Sequence, residues 1–205
     1  MGEYVEPPAP LKEAPVNVRP WLIVVGASGS DGLRQLVAFV AALPADLPAS
    51  VLAVLHRPAD RVSALPKILQ RAARLQVVTP HDGEILHPGV CYVADADHHL
   101  SVAGVEIRLV RDHVYRGRTL DLLFASAASA GGPRVVGVVL PGALRDGAKG
   151  LAAIESAGGA GFVIGGEWTE REGMPRAALA AAPRALAVES PQALAAAVTA
   201  VVRGR

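Results

Sequence analysis

The sequence predicts an α/β fold: a mostly parallel, doubly wound sheet flanked by helices, with a small antiparallel hairpin excursion in the middle. Three observations carry this expectation. Runs such as residues 22–25 (LIVV) and 134–140 (RVVGVVL) are β-branched, apolar and too short for helices, which marks them as buried strands. Segments with helical spacing of apolar residues alternate with such runs near both ends of the chain. In the centre, three strand-like runs follow one another with no helical pattern between them.

Taken in order, the strand at 22–25 runs straight into the turn residues GASGSDG. Leu33, Leu36, Val37, Val40 and Ala41 then recur at helical spacing until Pro44 ends the helix. Residues 51–55 form a second strand, and 62–75 a helix with Ser63 as its cap and Pro66 in its first turn. The central runs are 76–79, 90–94 and 100–110, with Ala103-Gly104 as a hairpin turn, and they make up the expected antiparallel excursion. A helix at 119–130, the strand at 134–140 and a helix at 146–157 follow, the last stopping at Gly158-Gly159. A short strand at 161–165 and helices at 175–182 and 191–202, each entered by proline, close the chain.

Residues 1–20 hold five prolines and charges of both signs, so they read as a disordered tail, with one folded domain over 21–205. Lys and Arg total 20 against 19 Asp and Glu, a net charge of +1 that is no footprint for nucleic acid or an anionic membrane. No apolar run approaches the roughly 18–20 residues of a membrane span, and the start of the chain lacks a secretory pattern, so a cytoplasmic protein is expected. Cys91 is the single cysteine, which excludes an intrachain disulfide and a cysteine-rich metal site. His98 and His99 are adjacent and point to opposite faces of a strand, while His81, His87 and His113 lack ligand spacing; no metal or cofactor is expected.

Ligands of an open parallel sheet bind beyond the carboxyl ends of its strands. Three such ends carry chemistry here: Ser28 after the first strand, His56 after the second, and Asp146 after the strand at 134–140. A hydroxyl, an imidazole and a carboxylate on one sheet edge are the set required for an activated serine: nucleophile, base and the group that orients the base. Each has an ordinary alternative. Ser28 suits a helix N-cap, His56 a half-buried strand end, and Asp146 the positive end of its own helix. The G-x-S-x-G elbow is not met, because Ser30 stands where its second glycine belongs. A phosphate loop is the rival, but GASGSDG fits neither nucleotide fingerprint and Asp31 would repel an anion.

The segments around these residues resemble the catalytic domain of the protein-glutamate methylesterases of bacterial chemotaxis. Gly26-Ala27-Ser28 is similar to that family's G-A-S, and His56 with Pro58 to its Q-H-M-P. Asp82-Gly83-Glu84 through Ala94 resembles D-G-E-x-L-x-P-G-x-x-Y-(I/V)-A, and Asp121 through Ala128 resembles D-x-L-F-x-S-A-A. Residues 141–148 fall on T-G-M-G-x-D-G-A, and 173–178 on G-M-P-R-A-A. The resemblance implies Ser28 as nucleophile, His56 as base and then acid, and Asp146 as its orienting carboxylate. It also implies oxyanion and substrate contacts at Gly29, Arg57, Gly142 and Ala143. The implied reaction is hydrolysis of glutamate γ-methyl esters on the cytoplasmic helices of chemoreceptors, with glutamine deamidation as related chemistry and no cofactor.

The departures from the family pattern leave a second reading open. Arg57 replaces its methionine, and Pro141-Gly142-Ala143-Leu144 replaces T-G-M-G. Proline lacks an N–H and leucine resists conformations open to glycine, so a catalytically degenerate binding module is the alternative. Family members carry a receiver domain, for which a 20-residue tail leaves no room; a separate regulatory protein is the partner this implies.

Overall fold

β1 (Trp21–Ser28) is the strand on which the architecture is centred. The protein's structure is a computed structural model that describes residues 20–56, 64–95, 97–111, 117–143, 145–165 and 173–204. The proline-rich tail before residue 20, Ser63, Arg57 and Leu144 lie outside the described residues. Seven strands form one sheet in the order β3-β4-β2-β1-β7-β8-β9, and all neighbours are parallel. These are β2 (Ala49–His56), β3 (Gln76–Val78), β4 (Val90–Val93), β7 (Val135–Val139), β8 (Ala160–Ile164) and β9 (Leu186–Val188). From β1 the chain builds outward through β2, then returns to the opposite flank of β1 with β7. The strand order thus reverses between β1 and β7, which is where such sheets open a crevice.

Alternation along β1 divides the core into two layers. Ile23, Val25 and Ala27 face α1 (Gly29–Ala42), α2 (Leu65–Ala72) and α6 (Pro191–Val202), where Phe39, Leu69 and Val198 are buried. Leu22 and Val24 face α3 (Thr119–Gly131), α4 (Ala148–Ser156) and α5 (Gly173–Ala181), where Phe124, Ile154 and Met174 are buried. With few aromatics, both layers are filled by aliphatic side chains and close backbone approaches. No helix among the described residues is long and apolar enough to cross a membrane.

The centre of the chain corrects one expectation. β3 and β4 belong to the parallel sheet, and only β5 (His98–Ala103) and β6 (Glu106–Arg111) form the antiparallel pair. The connection 79–89 crosses between parallel strands without a helix because the hairpin satisfies its backbone instead. Gly83 N–H donates to the Ile107 carbonyl, Leu86 N–H to that of Val105, and Ile107 N–H to that of Glu84. Leu109 N–H donates to Asp82 Oδ1. The hairpin turn is Gly104-Val105, one residue later than expected, with Gly104 at φ 64° supplying the left-handed first position. β9 has no counterpart in the sequence pattern, and α4 begins at Ala148, which leaves Asp146 in the loop before it.

Gly137 lies in the middle of β7, and a Cβ there would sit 2.5 Å from Leu151 Cδ1 and 2.7 Å from Ile154 Cδ1. Gly137→Ala is expected to lower stability by about 1–3 kcal/mol through overpacking, read as a reduced urea midpoint. An unchanged midpoint would show that α4 does not press on the sheet at this point.

Candidate active site

Ser28 is both the last residue of β1 and the N-cap of α1, in an extended conformation. Its side chain makes no capping hydrogen bond, so its hydroxyl is not used to start the helix. Gly29 follows at φ 72°, a left-handed turn that takes the chain sharply from strand to helix and leaves the residue exposed. The Ser28 N–H donates to the Pro141 carbonyl at 3.0 Å, which fixes the end of β1 against the loop after β7. Strand-end pairing therefore brings the first and third predicted loops together at the reversal of strand order.

His56 ends β2 and is the register partner of Ser28, so both side chains leave the sheet on the same face. Its ring is largely buried, and Nε2 lies 2.5 Å from Asp146 Oδ2. A carboxylate can only accept, so Nε2 carries the proton and donates it to Asp146, leaving Nδ1 as the basic nitrogen of the neutral ring. Among the described residues no hydrogen bond joins the Ser28 hydroxyl to this ring. Such contacts often close only when substrate is bound.

The Asp146 side chain is fully buried and holds four donors. Oδ2 accepts from His56 and from Leu120 N–H at 2.8 Å, while Oδ1 accepts from Asp121 N–H and Gly147 N–H, each at 2.9 Å. Burial pushes this carboxyl upward. The hydrogen bonds from His56, Leu120 and Asp121, with the charge of His56, outweigh burial and hold it below the usual carboxylate range. Its oxygens are taken up by His56, by the first turn of α3 and by Gly147, with none left for the first turn of α4.

Gly142 completes the wall beside the serine. A Cβ at Gly142 would fall 2.6 Å from Ser28 Cβ and 2.4 Å from Met174 Sδ, so only glycine fits. Its carbonyl accepts the Met174 N–H at 2.9 Å, which ties the loop to the start of α5. Ala143 is exposed next to it. Gly29, at the start of α1, and Gly142 and Ala143, in the loop after β7, thus flank the junction at Ser28. Two contributors are not marked by the sequence pattern. Met174 buttresses Gly142, and Asp121 Oδ1 accepts from Gly147 N–H at 3.0 Å and Gly150 N–H at 2.8 Å. Both stand in segments that carry the family resemblance, but nothing local announces their contacts.

Among the described residues, no group of three or more His, Cys, Asp or Glu is placed to hold a metal ion. Cys91 is buried in β4, and burial pushes its thiol up to about 12, which leaves it protonated and unreactive.

Fold and geometry define a doubly wound α/β protein whose switch point presents a serine, a histidine and a buried aspartate in a hydrolase-type arrangement. Residues 23–198 match the family model described as CheB methylesterase, and the chain belongs to that family. It is 35% identical over 181 residues to protein-glutamate methylesterase/protein-glutamine glutaminase 2 of Cupriavidus pinatubonensis, a match spanning 85% of this chain and 50% of the relative. It is 37% identical over 190 residues to protein-glutamate methylesterase/protein-glutamine glutaminase 1 of Anaeromyxobacter dehalogenans, over 89% of this chain and 52% of that one. The chain spans about half the length of these curated relatives. The crystal structure of the Thermotoga maritima CheB methylesterase catalytic domain superposes with a TM-score of 0.75 at 24% identity, covering 92% of this chain and all of that one. That likeness shows the fold.

Because its folded-state pKa is depressed, Asp146 contributes stability above the unfolded carboxylate value and loses it as pH falls through the folded one. The stability gap between the wild type and Asp146→Asn should be widest near neutral pH and narrow below about pH 4. Denaturation midpoints across the acidic to neutral range measure it, and a gap independent of pH would contradict the assignment. Gly142→Ala should displace Ser28 or Met174, costing about 1–3 kcal/mol and at least about tenfold in the reactivity of Ser28 toward a serine-directed probe.

Proposed function

We propose that the protein is a serine esterase that hydrolyses γ-methyl esters of glutamate side chains on the cytoplasmic helices of chemoreceptors, with glutamine deamidation as the same acyl transfer. The observation that supports it best is the 2.5 Å contact of His56 with the fully buried Asp146, with Ser28 opposite His56 in the strand register. The names of the relatives, which pair methylesterase with glutaminase, support the same substrate class.

The chemistry follows from these positions. His56 Nδ1 takes the proton of Ser28 as Oγ bonds to the ester carbonyl carbon, and Asp146 stabilises the imidazolium that forms. The negative oxygen of the tetrahedral intermediate needs preformed donors, a role that falls to backbone N–H groups around Gly29, Arg57, Gly142 and Ala143. His56 returns the proton to the departing methoxide, releasing methanol and leaving an acyl-serine. Water, deprotonated by His56, then attacks the acyl carbon; its proton passes to Ser28 and the glutamate carboxylate leaves.

Purified protein should release methanol from methyl-labelled receptor, and Ser28→Ala should lower that rate by at least about 10³-fold. No release from any glutamyl methyl ester would count against the proposal. A second reading, a methylesterase-like binding module without turnover, is favoured by Pro141, which offers no N–H to an oxyanion. Labelling of Ser28 by a fluorophosphonate excludes that reading, since labelling needs an activated hydroxyl.

A further inference from the structure

Two carboxylates, not one, meet at the loop behind His56. Asp121 N–H donates to Asp146 Oδ1, and Gly147 N–H lies between the two side chains, 2.9 Å from Asp146 Oδ1 and 3.0 Å from Asp121 Oδ1. Asp121 Oδ1 also takes the Gly150 N–H at 2.8 Å. N-terminal amides of α3 are thus met by Asp146 in the loop before α4, and those of Gly147 and Gly150 at the start of α4 by Asp121 in the first turn of α3. A carboxylate shared through one amide with Asp146 places a second negative charge within a few ångströms of the first, in a part of the molecule where screening by water is reduced.

We propose that Asp121 is a positioning residue for the Ser28–His56–Asp146 array, holding Asp146 in place through the shared amides and adding a negative charge that favours the protonated ring of His56. The proposal rests on the esterase reading of that array. Other ionisable groups lie on the elements around it. Arg118 and Arg145 flank the two aspartates in sequence, Lys149 and Glu155 are on α4, and His98 and His99 are on β5. Cys91 and Tyr92 are on β4. Asp31 on α1 is paired with Arg34, Glu155 with Arg184, and His98 with Asp95. Asp146 itself is paired with His56.

The test separates charge from capping. Asp121→Asn keeps a side-chain oxygen for Gly147 and Gly150 but removes the charge. With Ser28→Ala as background, the titration of the His56 ring followed by NMR should move to lower pH by about 0.5–1 unit in Asp121→Asn. Asp121→Glu should move it back toward the parent. In protein with Ser28 intact, the acidic limb of kcat/KM should shift in the same direction, since removal of negative charge makes the imidazolium harder to form. A helix cap alone would lower thermal stability in Asp121→Ala and leave the His56 titration unmoved in Asp121→Asn, and that result would overturn the proposal. Asp121→Ser, a second neutral cap, is read in the same way if Asp121→Asn does not fold. The titration requires no turnover, so a failure to hydrolyse methyl esters would sink the esterase reading and leave this result interpretable.

Discussion

The buried carboxylate of Asp146 is the constraint on which the rest of the site depends. An ionised group removed from water costs several kcal/mol unless its lone pairs are met, and here four donors converge on it. Those donors come from three places in the chain: the end of β2, the first turn of α3 and the entrance to α4. Each must be in place for the others to be tolerated, so the carboxylate fixes how the helices on one face of the sheet meet the strands. The same demand explains why His56 has one ring nitrogen committed. A histidine at a strand end is free to rotate, whereas one that donates to a buried anion presents its other nitrogen in a single direction.

The loop after β7 shows which of its backbone atoms the fold engages. Proline at 141 removes an N–H, but the group the structure uses there is its carbonyl, which receives the Ser28 N–H. A Cβ on Gly32 would lie 2.5 Å from that carbonyl oxygen, so the first turn of α1 is pressed against it as well. Gly142, by contrast, has no space for a side chain. Which backbone atoms are engaged decides which residues can change.

The sheet is legible in the sequence where burial imposes composition. β1, β2 and β7 are lined on both faces, and their β-branched runs announce them. The middle misleads because β3 and β4 pair in parallel across a connection that takes its hydrogen bonds from a hairpin downstream, and no local period records such an arrangement. β9 has three residues in an alanine-rich stretch, too few to show alternation. The positions of Ser28, His56 and Asp146 are legible because strand ends in open parallel sheets are where ligands bind. Asp121 and Met174 are not, since a helical aspartate and a helical methionine acquire their roles only from what lies across the sheet edge.

The placement of Ser28 on the central strand has a consequence in time. Its register partner His56 arrives on one flank with β2, but Asp146, 90 residues beyond His56, arrives only with the loop that follows β7 on the other. Contacts between groups so far apart in the chain raise the contact order of the site, and long-range pairing of this kind is among the slower events of folding. The stretch of chain before β7 holds Ser28 and His56 but not the carboxylate that meets the His56 ring. The His56–Asp146 contact is complete only once β7 has paired on the far flank of β1 and the loop after it has delivered the carboxylate.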